Sequence, residues 1–125
     1  MEDLFINGTA STPEVDFKIC GELNLVGRSL PEDSAAFYQP LFEWIELLTA
    51  EKVLVNVKLE YINTSSSKQL LALLKNVTEN GNCKKVKINW YYEEGDLDSL
   101  ETGEHYSTII DAPFKFIEYA ETEII

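Results

Sequence analysis

Cysteine, histidine and basic side chains are all scarce in this chain. Two cysteines, Cys20 and Cys83, are too few for a disulfide framework, and the one histidine, His105, does not complete an ordinary zinc site with them. A reducing compartment fits that usage. Lysine and arginine total 10 against 22 aspartates and glutamates, a formal net charge of −12. So few cations cannot neutralise a phosphate backbone or an anionic lipid surface, and neither is an expected partner. No apolar run approaches the roughly 18 residues that a membrane span needs. The start, Met1-Glu2-Asp3-Leu4, is acidic where a secretory or transit peptide would be basic, so a cytoplasmic location is expected. Without export, the sequons headed by Asn7, Asn63 and Asn76 carry no meaning.

What the chain does have is apolar material, 45% of 125 residues, enough for a core without staples. With no repeat, low-complexity block or long linker, residues 1–125 read as one α/β domain. Glu22 to Val26 alternates as a strand between the turn signals Gly21 and Gly27. Phe37, Leu41, Trp44, Ile45 and Leu48 recur at helical spacing, with an irregular turn expected ahead of Pro40 because proline deep in a helix costs about 3 kcal/mol. Val53, Val55, Val57, Leu59 and Tyr61 alternate strictly, the strongest strand pattern present. A helix follows at once, capped by Asn63, striped by Leu70, Leu73, Leu74 and Val77, and closed by a left-handed-tolerant turn at Asn80-Gly81-Asn82. Val86, Ile88, Trp90 and Tyr92 alternate again, which makes a right-handed parallel crossover. Asp96 to Ile110 forms a third helix, and Phe114 and Phe116 mark a last strand beyond Pro113. Strands that alternate imply one covered and one wet sheet face, hence a two-layer mixed sheet with helices mainly on one side.

The unusual segment is Asn63-Thr64-Ser65-Ser66-Ser67-Lys68, four consecutive hydroxyls between a strand end and the first turn of a helix. Hydroxyls suit a helix start, where they satisfy unpaired amides, but one cap worth about 1 kcal/mol does not need four of them. A phosphoryl group there would bring about −1.5 to −2 charges to the positive end of the helix dipole, with Lys68 close by. The same geometry could hold a ligand's phosphate, since a strand's carboxyl end leading into a helix is where α/β sheets bind ligands. Between Tyr61 and Leu70, however, there is no glycine to let the backbone approach a phosphate, so covalent modification fits better than nucleotide binding. Charge supports this placement. Residues 1–63 hold 4 basic and 11 acidic residues (−7), residues 64–92 hold 5 and 1 (+4), and residues 93–125 hold 1 and 10 (−9). The positive stretch begins at Thr64.

Other chemistry finds little purchase. The acidic run from Glu93 to Glu104 fails as a calcium loop, because counting from Asp96 puts Glu101 where glycine is required and Ser107 where glutamate is required. It reads as a solvated or binding face, and no metal is expected. No nucleophile has an identifiable base, His105 reads as a surface residue, and Trp44, Trp90, Tyr91 and Tyr92 read as core and sheet residues. Two functions from different classes remain: a binding module switched by phosphorylation, and a small ligand-binding domain or enzyme that uses the Thr64 to Ser67 anion site directly.

Several blocks then align with a known pattern: Gly8-Thr9, Thr12-Pro13, Gly27-Arg28-Ser29, Pro31-Glu32-Asp33 and Phe42-Glu43-Trp44. Tyr61-Ile62-Asn63-Thr64-Ser65-Ser66-Ser67-Lys68, Trp90-Tyr91-Tyr92, Asp96-Leu97-Asp98 and Pro113-Phe114 complete it. In order and spacing they make the chain resemble the SiaC family of bacterial regulatory phosphoproteins over nearly its whole length. Ile62 and Leu30 stand where that family commonly has aromatics. The resemblance implies a fold like the STAS-type anti-sigma factor antagonists and a non-catalytic role in a partner switch. Thr64 would be the phosphorylated residue, with Asn63, Ser65, Ser66 and Lys68 flanking it on the partner-binding surface. A serine/threonine kinase and a phosphatase would set the balance, and the unphosphorylated form would bind and activate a diguanylate cyclase, linking it to cyclic-di-GMP and biofilm formation. No cofactor is implied.

Overall fold

A computed structural model describes residues 1–120. The described chain runs β1 (Leu4–Ile6), β2 (Glu14–Phe17), β3 (Glu22–Ser29), α1 (Ser34–Leu47), β4 (Val53–Ile62), α2 (Thr64–Glu79), β5 (Val86–Glu93), α3 (Leu97–Ile109) and β6 (Phe114–Tyr119). One sheet takes the strands in chain order, β1 to β6. The first two pairings are antiparallel and the last three are parallel. Because each parallel step moves the same way across the sheet, right-handed crossovers put all three helices on one face. The mixed two-layer α/β reading from the alternating strands therefore holds.

Side-chain alternation decides what each face does. Leu23, Leu25, Val53, Val55, Val57, Ile88 and Trp90 are buried under the helices, where they meet Leu41, Ile45, Leu70, Leu73, Leu74 and Val77 from α1 and α2. The opposite face carries no helix among the described residues. Across it, the Asn89 amide donates to Asn56 Oδ1 and the Asn56 amide to Asn24 Oδ1, both at 2.9 Å, while the Lys58 ammonium lies 4.5 Å from the Tyr119 ring centroid. These pairs satisfy polar groups on a surface that water reaches, and the neighbouring strands keep them in register. No helix among the described residues is long and apolar enough to cross a membrane.

Four expectations need correction. The helix around Pro40 begins at Ser34 and runs unbroken through the proline, which is exposed, so water can satisfy the carbonyl that the ring leaves without a donor. Asp33 caps that helix by accepting from the Ala36 amide at 3.1 Å. Gly27 is not a turn after the strand; it sits at φ +124 where the β3–β4 register shifts, and the strand continues to Ser29 through that bulge. The end of α2 is not left-handed. Asn80 is extended at φ −73 and ψ 111, and its amide instead reaches Ile45 O at 3.0 Å and Leu48 O at 3.2 Å, tying α2 to the end of α1. Finally Tyr61, on the apolar side by alternation, is 51% exposed because the β3–β4 register slips by one residue after Leu59 and turns it to the other face, so that Ile62 packs against the core instead.

Candidate functional site

β4 and α2 meet with a single residue between them, Asn63. Its backbone N–H donates to the Ser29 carbonyl at 3.0 Å, which fixes the strand ends, and its side-chain oxygen accepts from the Ser66 amide at 2.9 Å. The Ser65 hydroxyl adds a weaker 3.3 Å bond to the same oxygen. Asn63 is thus the cap that the sequence implied, and it brings no charge to the helix start. Thr64 opens the helix, is exposed, and its hydroxyl has no hydrogen-bond partner among the described residues.

The four hydroxyls divide by direction. Thr64 and Ser65 face solvent, whereas Ser66 is fully buried and its Oγ is left without a partner among the described residues. Ser66 therefore supports the helix start from within and offers no surface to an enzyme or partner. Ser67 turns toward α3, where its Oγ pairs with the Tyr106 hydroxyl at 2.7 Å while that hydroxyl donates to the Ser67 carbonyl. This exchange bolts the first turn of α2 to α3. Burial raises the Tyr106 pKa to about 12, partly offset by the Ser67 bond, so the phenol stays neutral and can serve as donor.

A shallow cavity of about 390 Å³ lies at this junction, lined by Thr64, Ser67 and Lys68 from α2 and by Thr102, His105 and Tyr106 from α3. Lys68 is exposed and joins no ion pair among the described residues. Of the residues that the sequence points to at this site, Asn63, Thr64, Ser65 and Lys68 come together at the surface, whereas Ser66 is turned into the core. Sequence reasoning missed the α3 side. His105 is indeed at the surface, yet it lines the Thr64 cavity; the only sequence hint was the spacing of Thr102, His105 and Tyr106, which puts them on one helix face.

The position of α3 depends on Trp90. Its indole N–H donates to the Ser99 carbonyl at 3.0 Å, and its ring meets Tyr106 edge-on with centroids 5.2 Å apart. Gly103 makes that approach possible, because a Cβ there would come within 2.7 Å of the indole. Trp90 and Trp44 are core residues, and Trp44 donates to the Glu2 carbonyl at 2.8 Å. The acidic run is spread out along α3: Asp96 caps the helix by accepting from the Ser99 amide at 3.0 Å, Asp98 sits in its first turn, and Glu101 and Glu104 are exposed.

Charge at the three helix starts is unequal. α1 and α3 are capped by Asp33 and Asp96, which already place a carboxylate at the positive end of each dipole. α2 is capped by the neutral Asn63 and has no acid in its first turn. Its dipole is unfilled, and an exposed hydroxyl, a lysine and a histidine stand around it.

Comparisons with known proteins identify the family and the fold. The family model described as SiaC family regulatory phosphoprotein matches residues 6–119. An uncharacterised protein of Pseudomonas aeruginosa strain UCBPP-PA14 is 31% identical over 122 residues, covering 91% of this chain and 94% of that protein. The solved structure of SiaC of Pseudomonas aeruginosa matches with a TM-score of 0.80 at 28% identity, over 95% of this chain and 100% of that one. A crystal structure of the diguanylate cyclase SiaD in complex with its activator SiaC, also from Pseudomonas aeruginosa, contains a chain that matches with a TM-score of 0.81 at 27% identity, over 94% and 100%. The family match over residues 6–119 and the shared fold place this chain in the SiaC family of regulatory phosphoproteins, as a regulator and not a catalyst.

Proposed function

We propose that this protein is a cytoplasmic, phosphorylation-controlled activator of a diguanylate cyclase, switched at Thr64. The observation that carries this reading is the unfilled start of α2: a neutral cap, an exposed threonine hydroxyl, and Lys68 and His105 lining the same cavity. A phosphothreonine there would present about −1.5 to −2 charges to free amides and two basic side chains, so the modified state is well received. The complex between the related SiaC and the cyclase SiaD supports an effector of that class.

In the unmodified state the exposed surface around Asn63, Thr64, Ser65 and Lys68 is neutral or positive and can be covered by a partner. A partner that buries a neutral hydroxyl would have to bury a dianion after phosphorylation, which is costly unless enough counter-charge comes with it. A serine/threonine kinase and an opposing phosphatase set the ratio of the two states. The test is titration of a purified cognate cyclase with the unmodified protein, Thr64→Ala and Thr64→Asp, reading affinity and cyclic-di-GMP production. The unmodified protein and Thr64→Ala bind and activate, and Thr64→Asp binds at least tenfold more weakly, a loss of about 1.4 kcal/mol or more. Equal affinity for all three would refute the switch.

A further inference from the structure

The parallel strands β3, β4 and β5 have their amino ends together at the sheet edge opposite Thr64, and a cavity of about 580 Å³ opens there. Cys20, Gly21, Glu22, Lys52, Val53, Leu54, Lys85 and Lys87 line it. Three of the chain's 10 basic residues thus converge on one opening in a protein of net charge −12. None of the three joins an ion pair among the described residues. Among the described residues the one acid in the lining, Glu22, is engaged by Lys18 at 3.2 Å. Three lysines without an ion pair at one opening make it a positive spot on a molecule that is negative overall. Lys85 has positive φ, 44°, a backbone state that a lysine adopts rarely and that tends to be kept where function needs it.

We propose that this cavity binds a small phosphorylated compound with an apolar body. Lysine binds phosphate as a point charge, and a phosphate ester carrying about −2 charges balances most of the lysine surplus, whereas a monocarboxylate leaves two cations uncompensated. Val53, Leu54 and the aliphatic stems of the lysines supply apolar wall for the rest of the ligand. The volume falls within the usual small-molecule range of roughly 300–1,000 Å³. The site is independent of Thr64, which lies at the other end of β4.

Cys20 makes the proposal measurable. Its thiol is exposed and lines the cavity, while Cys83 is buried with its pKa raised by that burial and serves as the silent control. In the full chain, Cys20 alkylation by anionic iodoacetate is compared with alkylation by neutral iodoacetamide. A protein of net charge −12 repels the anionic reagent, so without a focused site the rate ratio falls below that of free cysteine. With the site it exceeds that of free cysteine, and the double variant Lys52→Gln, Lys87→Gln, with unchanged thermal unfolding, lowers it at least threefold. Phenyl phosphate then protects Cys20 from iodoacetamide saturably and at lower concentration than inorganic phosphate, phenol does not protect, and the double variant loses the protection. A ratio at or below that of free cysteine, protection that persists in the variant, or equal protection by phenyl phosphate and inorganic phosphate would each overturn the proposal.

Discussion

Two helices leave the carboxyl edge of the sheet side by side, α2 after β4 and α3 after β5, and each is capped by an Asx side chain that accepts from the amide three residues on. The capping bond is the same, although the cap backbones differ, with ψ 171 at Asn63 and ψ 80 at Asp96. Their surroundings differ in sign, because α3 has Asp96 and Asp98 at its positive end and shares a cleft of about 230 Å³ with Glu60, while α2 has a neutral cap with Lys68 and His105 nearby. The cleft and the Thr64 cavity have Ile62 and Thr102 in common, so an anion-rich start and an anion-poor start lie next to each other. The shared capping bond therefore does not account for the difference between the two helix starts. The distinction is whether the chain has already filled the dipole with its own carboxylate.

The contrast depends on α3 staying in place, and the largest expected effects come from loosening it. Tyr106 has its pKa raised by burial from its ordinary 10.0 to about 12, so the folded state holds a proton that the unfolded chain releases between those values. Stability from this group is fully present below pH 10.0 and falls as pH rises toward about 12, by about 1.4 kcal/mol per unit for one such group. Denaturant unfolding across that range measures the slope, and Tyr106→Phe removes this group's share of it. Gly103→Ala pushes a methyl group into the Trp90 indole and should cost roughly 1–3 kcal/mol, the range for overpacking. Chemical denaturation gives the cost, and amide exchange at Thr102 to Tyr106 should show α3 displaced from the Thr64 cavity.

Exchanging the caps probes the comparison itself. Asn63→Asp puts a charge at the α2 dipole and should stabilise the unmodified protein by about 0.3–1 kcal/mol, while Asp96→Asn should destabilise α3 by a similar amount. Asn63→Asp should also slow phosphorylation, since the incoming phosphate then meets a carboxylate. Thermal unfolding at low ionic strength and initial rates with the cognate kinase separate the two effects.

The segment from β4 through β5 was legible because each of its elements announces itself locally. Period-two alternation from Val53 and from Val86, and a leucine stripe behind an Asn cap, need no knowledge of the rest of the chain. β1 and β2 were not read as strands because three and four residues are too few to show a period; their pairing with β3 defines them. Pro40 misled because propensity counts a lost hydrogen bond but not that it falls on an exposed face. At the site, Asn63, Thr64, Ser65 and Lys68 fall within one six-residue stretch and so were visible as a motif. Ser66 reads like its neighbours in the sequence, and only the packing of α2 shows that it points inward. His105 and Tyr106 lie about 40 residues further on and reach Thr64 only because Trp90 and Gly103 let α3 pack close.

The most direct measurement is phosphopeptide mapping of the full chain after incubation with its cognate kinase, with Thr64→Ala in parallel. One phosphate per chain is expected, on Thr64, and none on Thr64→Ala. A phosphate on Ser65, Ser67 or any residue outside the start of α2, with Thr64 unmodified, would contradict it.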